Sequence, residues 1–152
     1  MVATCLWFDG TAEPAVALYT SLLPDSRVTN VFRPDPAGPA LLVEFTLAGV
    51  PYQALNGGPH YRLTPAASLA VTTHDQVETD RLWHALLADG GEESMCGWLV
   101  DRFGLSWQIV PAALLRLLTS SDRAAAGRAM QAMMAMRRLD IAALEAAYRG
   151  ER

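Results

Sequence analysis

The chain has 152 residues, 51% of them hydrophobic and 18% charged, with a formal net charge of -4. That composition excludes a disordered chain and supplies no basic footprint for nucleic acid; no run of about eighteen apolar residues is present to span a membrane. The two cysteines, Cys5 and Cys96, make no disulfide framework, and no signal-peptide pattern opens the sequence, so a cytoplasmic protein is expected.

Thr4 to Phe8 is short, apolar and β-prone, and Asp9-Gly10 ends it. Thr11 is placed to cap a helix whose apolar stripe runs Ala12, Ala15, Val16, Tyr19 and Leu22-Leu23, closed by Pro24-Asp25. Arg27 to Arg33 alternates as a strand, and Pro34 to Pro39 is a loop by composition. Leu41 to Leu47 and Val50 to Leu55 are strands joined by a hairpin turn at Ala48-Gly49, and Asn56-Gly57-Gly58-Pro59 turns the chain again.

The order then repeats. Ser68 to Thr72 is a strand, and Val77 to Ala88 a helix with Val77, Leu82, Leu86 and Leu87 as core and Trp83 at the margin. Asp89-Gly90-Gly91 ends it. Glu92 to Val100 holds one or two short strands. Asp101-Arg102-Phe103-Gly104 is a tight turn feeding a strand from Ser106 to Val110, which Pro111 stops. One face of that strand carries Ser106, Gln108 and Val110, the other Trp107 and Ile109. A tail follows: a short helix at Leu114 to Leu118, a second from Arg123 to Met136 with Met130, Met133 and Met134 on one face, and a third capped by Asp140.

Each half reads strand, helix, then two or three strands, and neither half buries a sheet face alone. The fold class is therefore α+β: paired βαβββ modules, 1–60 and 61–111, forming one curved mixed sheet or open barrel, with a helical tail at 112–152, all in one domain.

The motifs Leu6-Trp7-Phe8-Asp9-Gly10 with Ala12-Glu13, Tyr19, Leu55-Asn56-Gly57-Gly58-Pro59, Cys96-Gly97-Trp98 and Gly104-Leu105-Ser106-Trp107-Gln108 occur in order. Together they resemble the PhnB-like proteins, also labelled 3-demethylubiquinone-9 3-methyltransferase domains, a branch of the glyoxalase-like vicinal oxygen chelate superfamily. The resemblance extends into the tail at Met130 to Met133 and Asp140 to Leu144. That superfamily includes glyoxalase I, extradiol dioxygenases, fosfomycin-resistance enzymes and bleomycin-binding proteins. In its metal-dependent members, His, Glu or Gln ligands come from the first and last strands of each module. The resemblance maps those positions to Thr4, Asn56, Ser68 and Gln108, with Gln53 or Leu55 in place of Asn56 if the register slips by one. All four are neutral, weak donors, so no metal and no other cofactor is expected. Glu44, the one acid inside a strand of the first half, is expected to face solvent.

The expected site is instead a concave ligand pocket lined by Thr4, Leu6, Phe8, Asn56, Ser68, Trp98, Ser106 and Gln108. Trp7 and Trp107, of opposite parity, belong under the helices. Cys96 is a candidate reactive thiol with His60 as its candidate base, while His74 and His84 are expected to be solvated. The glycine pairs sit in turns, and neither makes the strand-to-helix Gly-rich turn of an adenosylmethionine site, which argues against the methyltransferase label. A metal-independent protein binding a small molecule, aromatic ligands included, is the leading expectation. The alternative is a superfamily enzyme of unknown substrate, with no catalytic residue assigned, and a homodimer is expected in either case.

Overall fold

The computed structural model describes residues 2–151. The elements run strand, helix, three strands, twice over, and then three helices. The chain divides into two compact units, one ending at Thr64 and the other beginning at Pro65. Each holds an open, mixed four-stranded sheet, and neither sheet closes into a barrel.

In the first unit, β1 (Thr4–Phe8), α1 (Ala12–Leu22), β2 (Arg27–Phe32), β3 (Leu42–Leu47) and β4 (Val50–Asn56) build a sheet in the order β1-β4-β3-β2. β1 runs parallel to β4, and the other neighbours are antiparallel. One sheet face is covered by the apolar stripe of α1, in which Ala12, Ala15, Val16 and Tyr19 are buried. Leu6, Phe8, Val43, Phe45, Leu47 and Ala54 are buried on the facing side. Thr11 does not cap α1: its side chain makes no capping bond. Asn56 does so instead, because parallel pairing sets it beside Phe8. Its Oδ1 accepts from Ala12 N at 3.0 Å, and its Nδ2 donates to Ala40 O at 2.8 Å.

The β3–β4 hairpin turns through Ala48 at φ 48° and Gly49 at φ 78°. Positive φ at both central residues is the type I′ turn that suits strand twist, and an alanine is strained there. Ala48→Asn is expected to raise stability by about 1 kcal/mol in urea unfolding. An unchanged or lower stability would count against that turn.

In the second unit, β5 (Ser68–Thr73), α2 (Gln76–Leu87), β6 (Glu92–Glu93), β7 (Trp98–Val100) and β8 (Ser106–Pro111) repeat the arrangement in the order β5-β8-β7-β6. Asp75 caps α2 by accepting from Glu78 N at 2.8 Å. The buried face of α2 is Thr79, Leu82, Trp83 and Leu86. Trp83 is therefore core rather than margin, while Val77 is 78% exposed. The stripe starts one helical step later than the apolar residues alone imply, because Thr79 joins it through a 2.6 Å bond between its hydroxyl and that of Thr73.

The tail forms α3 (Ala112–Leu118), α4 (Arg123–Met134) and α5 (Ile141–Arg149). Leu114, Leu117, Ala129, Leu139 and Leu144 make one buried cluster, with Met133 and Met136 packed against it. Met130 and Met134 are exposed, so the methionine stripe is split between packing and solvent. No helix among the described residues is long and apolar enough to cross a membrane.

Candidate functional site

Each sheet buries one face under its helix. In the second unit, the turn before β8 sets that geometry. Asp101 is 3% exposed. Its Oδ1 accepts from Phe103 N and Leu105 N at 2.8 and 3.1 Å, and its Oδ2 from Trp107 Nε1 at 2.9 Å. Trp107 is thereby locked on the α2 side of the sheet with Leu99 and Ile109, all buried. Alternation then puts Ser106 and Gln108 on the face opposite α2.

Four of the expected pocket residues come together there. Gln108 Nε2 donates to Ser68 Oγ at 2.9 Å. Trp98 pairs with Gln108 in the β7–β8 register, and Ser68 pairs with Ser106 in the β5–β8 register. Ser106 is 1% exposed, and its Oγ is buried with no hydrogen-bond partner. A buried hydroxyl with no partner is unusual enough to require an explanation.

The first unit departs from expectation. Leu6 and Phe8 are core residues under α1, not pocket lining, and Thr4 shares their parity but is exposed. Trp7, expected under the helix, is on the opposite face of β1. Its Nε1 donates to Gly58 O at 2.8 Å, and its ring meets Tyr61 edge-on at 4.9 Å. Gly57 must be glycine at this point, since a Cβ would come within 2.2 Å of the Trp7 ring. Asn56 is engaged as the helix cap and borders a pocket of about 420 Å³ under the Pro34–Leu41 loop, away from the open sheet face. The run Thr-Cys-Leu-Trp-Phe is apolar on both faces, so alternation shows no direction, and an error of one residue exchanges the faces.

The true helix-free face of the first sheet carries a polar row that the sequence reading passed over. Cys5, Gln53, Glu44 and Asn30 are in register across all four strands. Glu44 is not simply solvated. It accepts from Asn30 Nδ2 and Gln53 Nε2, each at 3.1 Å. Donation from Asn30, then from Gln53, holds its carboxyl below the usual carboxylate range against the opposing pull of desolvation. The detectable signal was the Glu44/Gln53 pair flanking the Ala48-Gly49 turn, which a two-residue hairpin makes direct neighbours. Desolvation pushes the Cys5 thiol upward, towards its neutral form.

These residues do not fit a divalent metal. Among the described residues there is no group of three or more His, Cys, Asp and Glu side chains placed to hold one. Cys5 and Glu44 are two strands apart, about 10 Å, too far to share an ion. Gln108 and Ser68 are neutral and spend a donor and an acceptor on each other. Cys96 is partly buried at φ 59° in the turn before β7, and its N donates to Met136 O at 2.7 Å. No imidazole hydrogen-bonds its sulfur among the described residues.

Against known proteins, residues 1–110 match the model of the 3-demethylubiquinone-9 3-methyltransferase family. The chain belongs to this family. It is the PhnB-like branch of the vicinal oxygen chelate superfamily. The PhnB protein of Bacillus cereus is 34% identical, with a TM-score of 0.67; the match covers 73% of this chain and 98% of that one. Protein PA1353 of Pseudomonas aeruginosa is 20% identical over 73% of this chain and 96% of its own, at a TM-score of 0.58. A glyoxalase/bleomycin resistance protein of Albidiferax ferrireducens shares the fold at 13% identity and a TM-score of 0.50, over 73% of this chain and 97% of its own. No curated protein matches the sequence. The family match ends before α3, so the expected resemblance of the tail lies outside it.

Proposed function

We propose that this PhnB-like protein binds a small organic molecule on the face of its second sheet that carries Gln108, and does so without a metal. The observation that carries the reading is the second-unit set: Gln108 bonded to Ser68, Trp98 beside it, and the buried Ser106 hydroxyl without a partner. Neutral donors and acceptors next to an aromatic ring are suited to orienting a planar polar ligand. The name of the Albidiferax relative supports the class, at the level of fold analogy.

A thermal-shift and calorimetric screen with small aromatics, quinones and thiol conjugates, run in excess chelator, tests the reading. At least one class is expected to bind. Gln108→Leu is expected to weaken it about tenfold, the effect of losing one oriented hydrogen bond in a pocket, with little change in melting temperature. Binding that appears only on adding a divalent metal would defeat metal independence. A Gln108→Leu protein that binds as well as the parent would remove this face from the site.

A further inference from the structure

The open face of the first sheet holds a pocket of about 290 Å³, bordered by Ala3, Thr29, Glu44, Thr46, Pro51 and Gln53. Its one charged group is the Glu44 carboxylate, which can only accept. Glu44 uses one bond on each carboxylate oxygen and keeps further lone pairs. Gln53 donates its amide to Glu44, which leaves its carbonyl oxygen without a partner among the described residues. Thr46 Oγ1 is buried and has no hydrogen-bond partner. Thr46 lies two residues from Glu44 on the same strand face, about 7 Å away, and Gln53 pairs directly with Glu44.

The carboxylate of Glu44 carries its charge at neutral pH, since Asn30 and Gln53 both favour the ionised form. No cation pairs with it among the described residues. Arg27, opposite Thr46 in the register, lies 4.0 Å from Asp25 instead. A carboxylate attended only by amides, beside a hydroxyl and a carbonyl with no partner, has acceptor capacity left for a positively charged donor.

We propose that this pocket takes an organic cation, an ammonium or guanidinium, with Glu44 as its anchor and Gln53 Oε1 and Thr46 Oγ1 as further acceptors. The pocket is built from residues of the first unit alone. A primary ammonium has three donors for these three acceptors, and its apolar body lies against Ala3 and Pro51. The amides from Asn30 and Gln53 pre-orient the carboxylate, so the charge-assisted bonds form without rearranging the strand.

The probes are benzylamine, benzyl alcohol and benzoate, titrated into the full chain and followed by backbone amide shifts. Benzylamine is expected to move Glu44, Thr46 and Gln53, and to bind about tenfold more tightly than benzyl alcohol, as one charge-assisted contact allows. Benzoate is expected not to bind there. Glu44→Gln keeps the shape and is expected to erase the preference for the amine. Thr46→Val is expected to weaken benzylamine about threefold, and it keeps the test open if the first variant folds poorly. Equal binding of amine and alcohol would overturn the cation assignment while leaving the ligand-binding reading standing. So would benzylamine binding untouched by Glu44→Gln, or no shift in this pocket at all. The broader reading fails separately, when nothing in the aromatic screen binds the Gln108 face.

Discussion

Asp101→Ala is expected to destabilise the second unit by about 4 kcal/mol, with a fall in melting temperature of roughly 10 °C. The aspartate is 3% exposed and serves three donors at 2.8, 3.1 and 2.9 Å. Truncation leaves the Leu105 amide and the Trp107 indole N–H buried without acceptors, each costing about 1–3 kcal/mol, and adds a smaller loss at the partly buried Phe103 amide. The damage does not stop at the turn. Gly104 N donates to Asp101 O at 3.0 Å, and Asp101 N to Leu105 O at 2.9 Å, so the same residue closes the loop that launches β8. Trp107 then loses its bond to Asp101, one of the contacts that keep it on the α2 side of β8 and so Gln108 and Ser106 away from α2. Urea unfolding of the variant, with Asp101→Asn as companion, checks the account. Asparagine keeps one acceptor and is expected to lose about half as much. A loss below about 1 kcal/mol in the alanine variant would show that the three bonds are not what fixes the turn.

The same strand explains what was legible in the sequence. Serine and glutamine alternate with tryptophan and isoleucine between Ser106 and Ile109, so composition alone distinguishes a buried face from a polar one. The turn residues around it do the rest. The order of elements was readable for the same reason, since Asp-Gly, Ala-Gly and Gly-Gly steps punctuate periodic stretches. β1 had no such contrast: with cysteine and tryptophan on one face and leucine and phenylalanine on the other, hydrophobicity carries no sign. The face assignment of β1 failed at that point, and the Asn30, Glu44 and Gln53 row went unread with it. Asn56 shows a second limit. A polar residue at a strand end suggests a ligand contact, but only parallel pairing with β1 reveals that it caps a helix forty-four residues away in sequence. Trp83 shows a third, because the helix stripe includes a threonine that only its partner hydroxyl makes buriable.

Gly97→Ala is expected to cost about 3 kcal/mol, and the reason joins the tail to the candidate site. Gly97 has φ 82°. Its N donates to Arg137 O at 2.8 Å, and its O accepts from Ile109 N at 2.8 Å, one residue from Gln108. An added Cβ would come 2.7 Å from Ile109 O and 3.0 Å from Leu139 Cδ1. The first neighbour is backbone and cannot swing away; the second belongs to the buried cluster that anchors α3, α4 and α5. Two separable penalties are therefore added, backbone strain and crowding. Gly104→Ala isolates the first of them. That glycine has φ 91°, but nothing lies within 4 Å of its added Cβ, so only about 1 kcal/mol of strain is expected there. Equal losses at the two sites in urea unfolding would mean that the strand-to-tail junction tolerates a methyl group. A clear excess at Gly97, with perturbed amide shifts at both Gln108 and Leu139, would mean that the tail helices and the Gln108 strand are held by one close backbone contact. A residue outside the pocket would then set the shape of the face on which the ligand is proposed to bind.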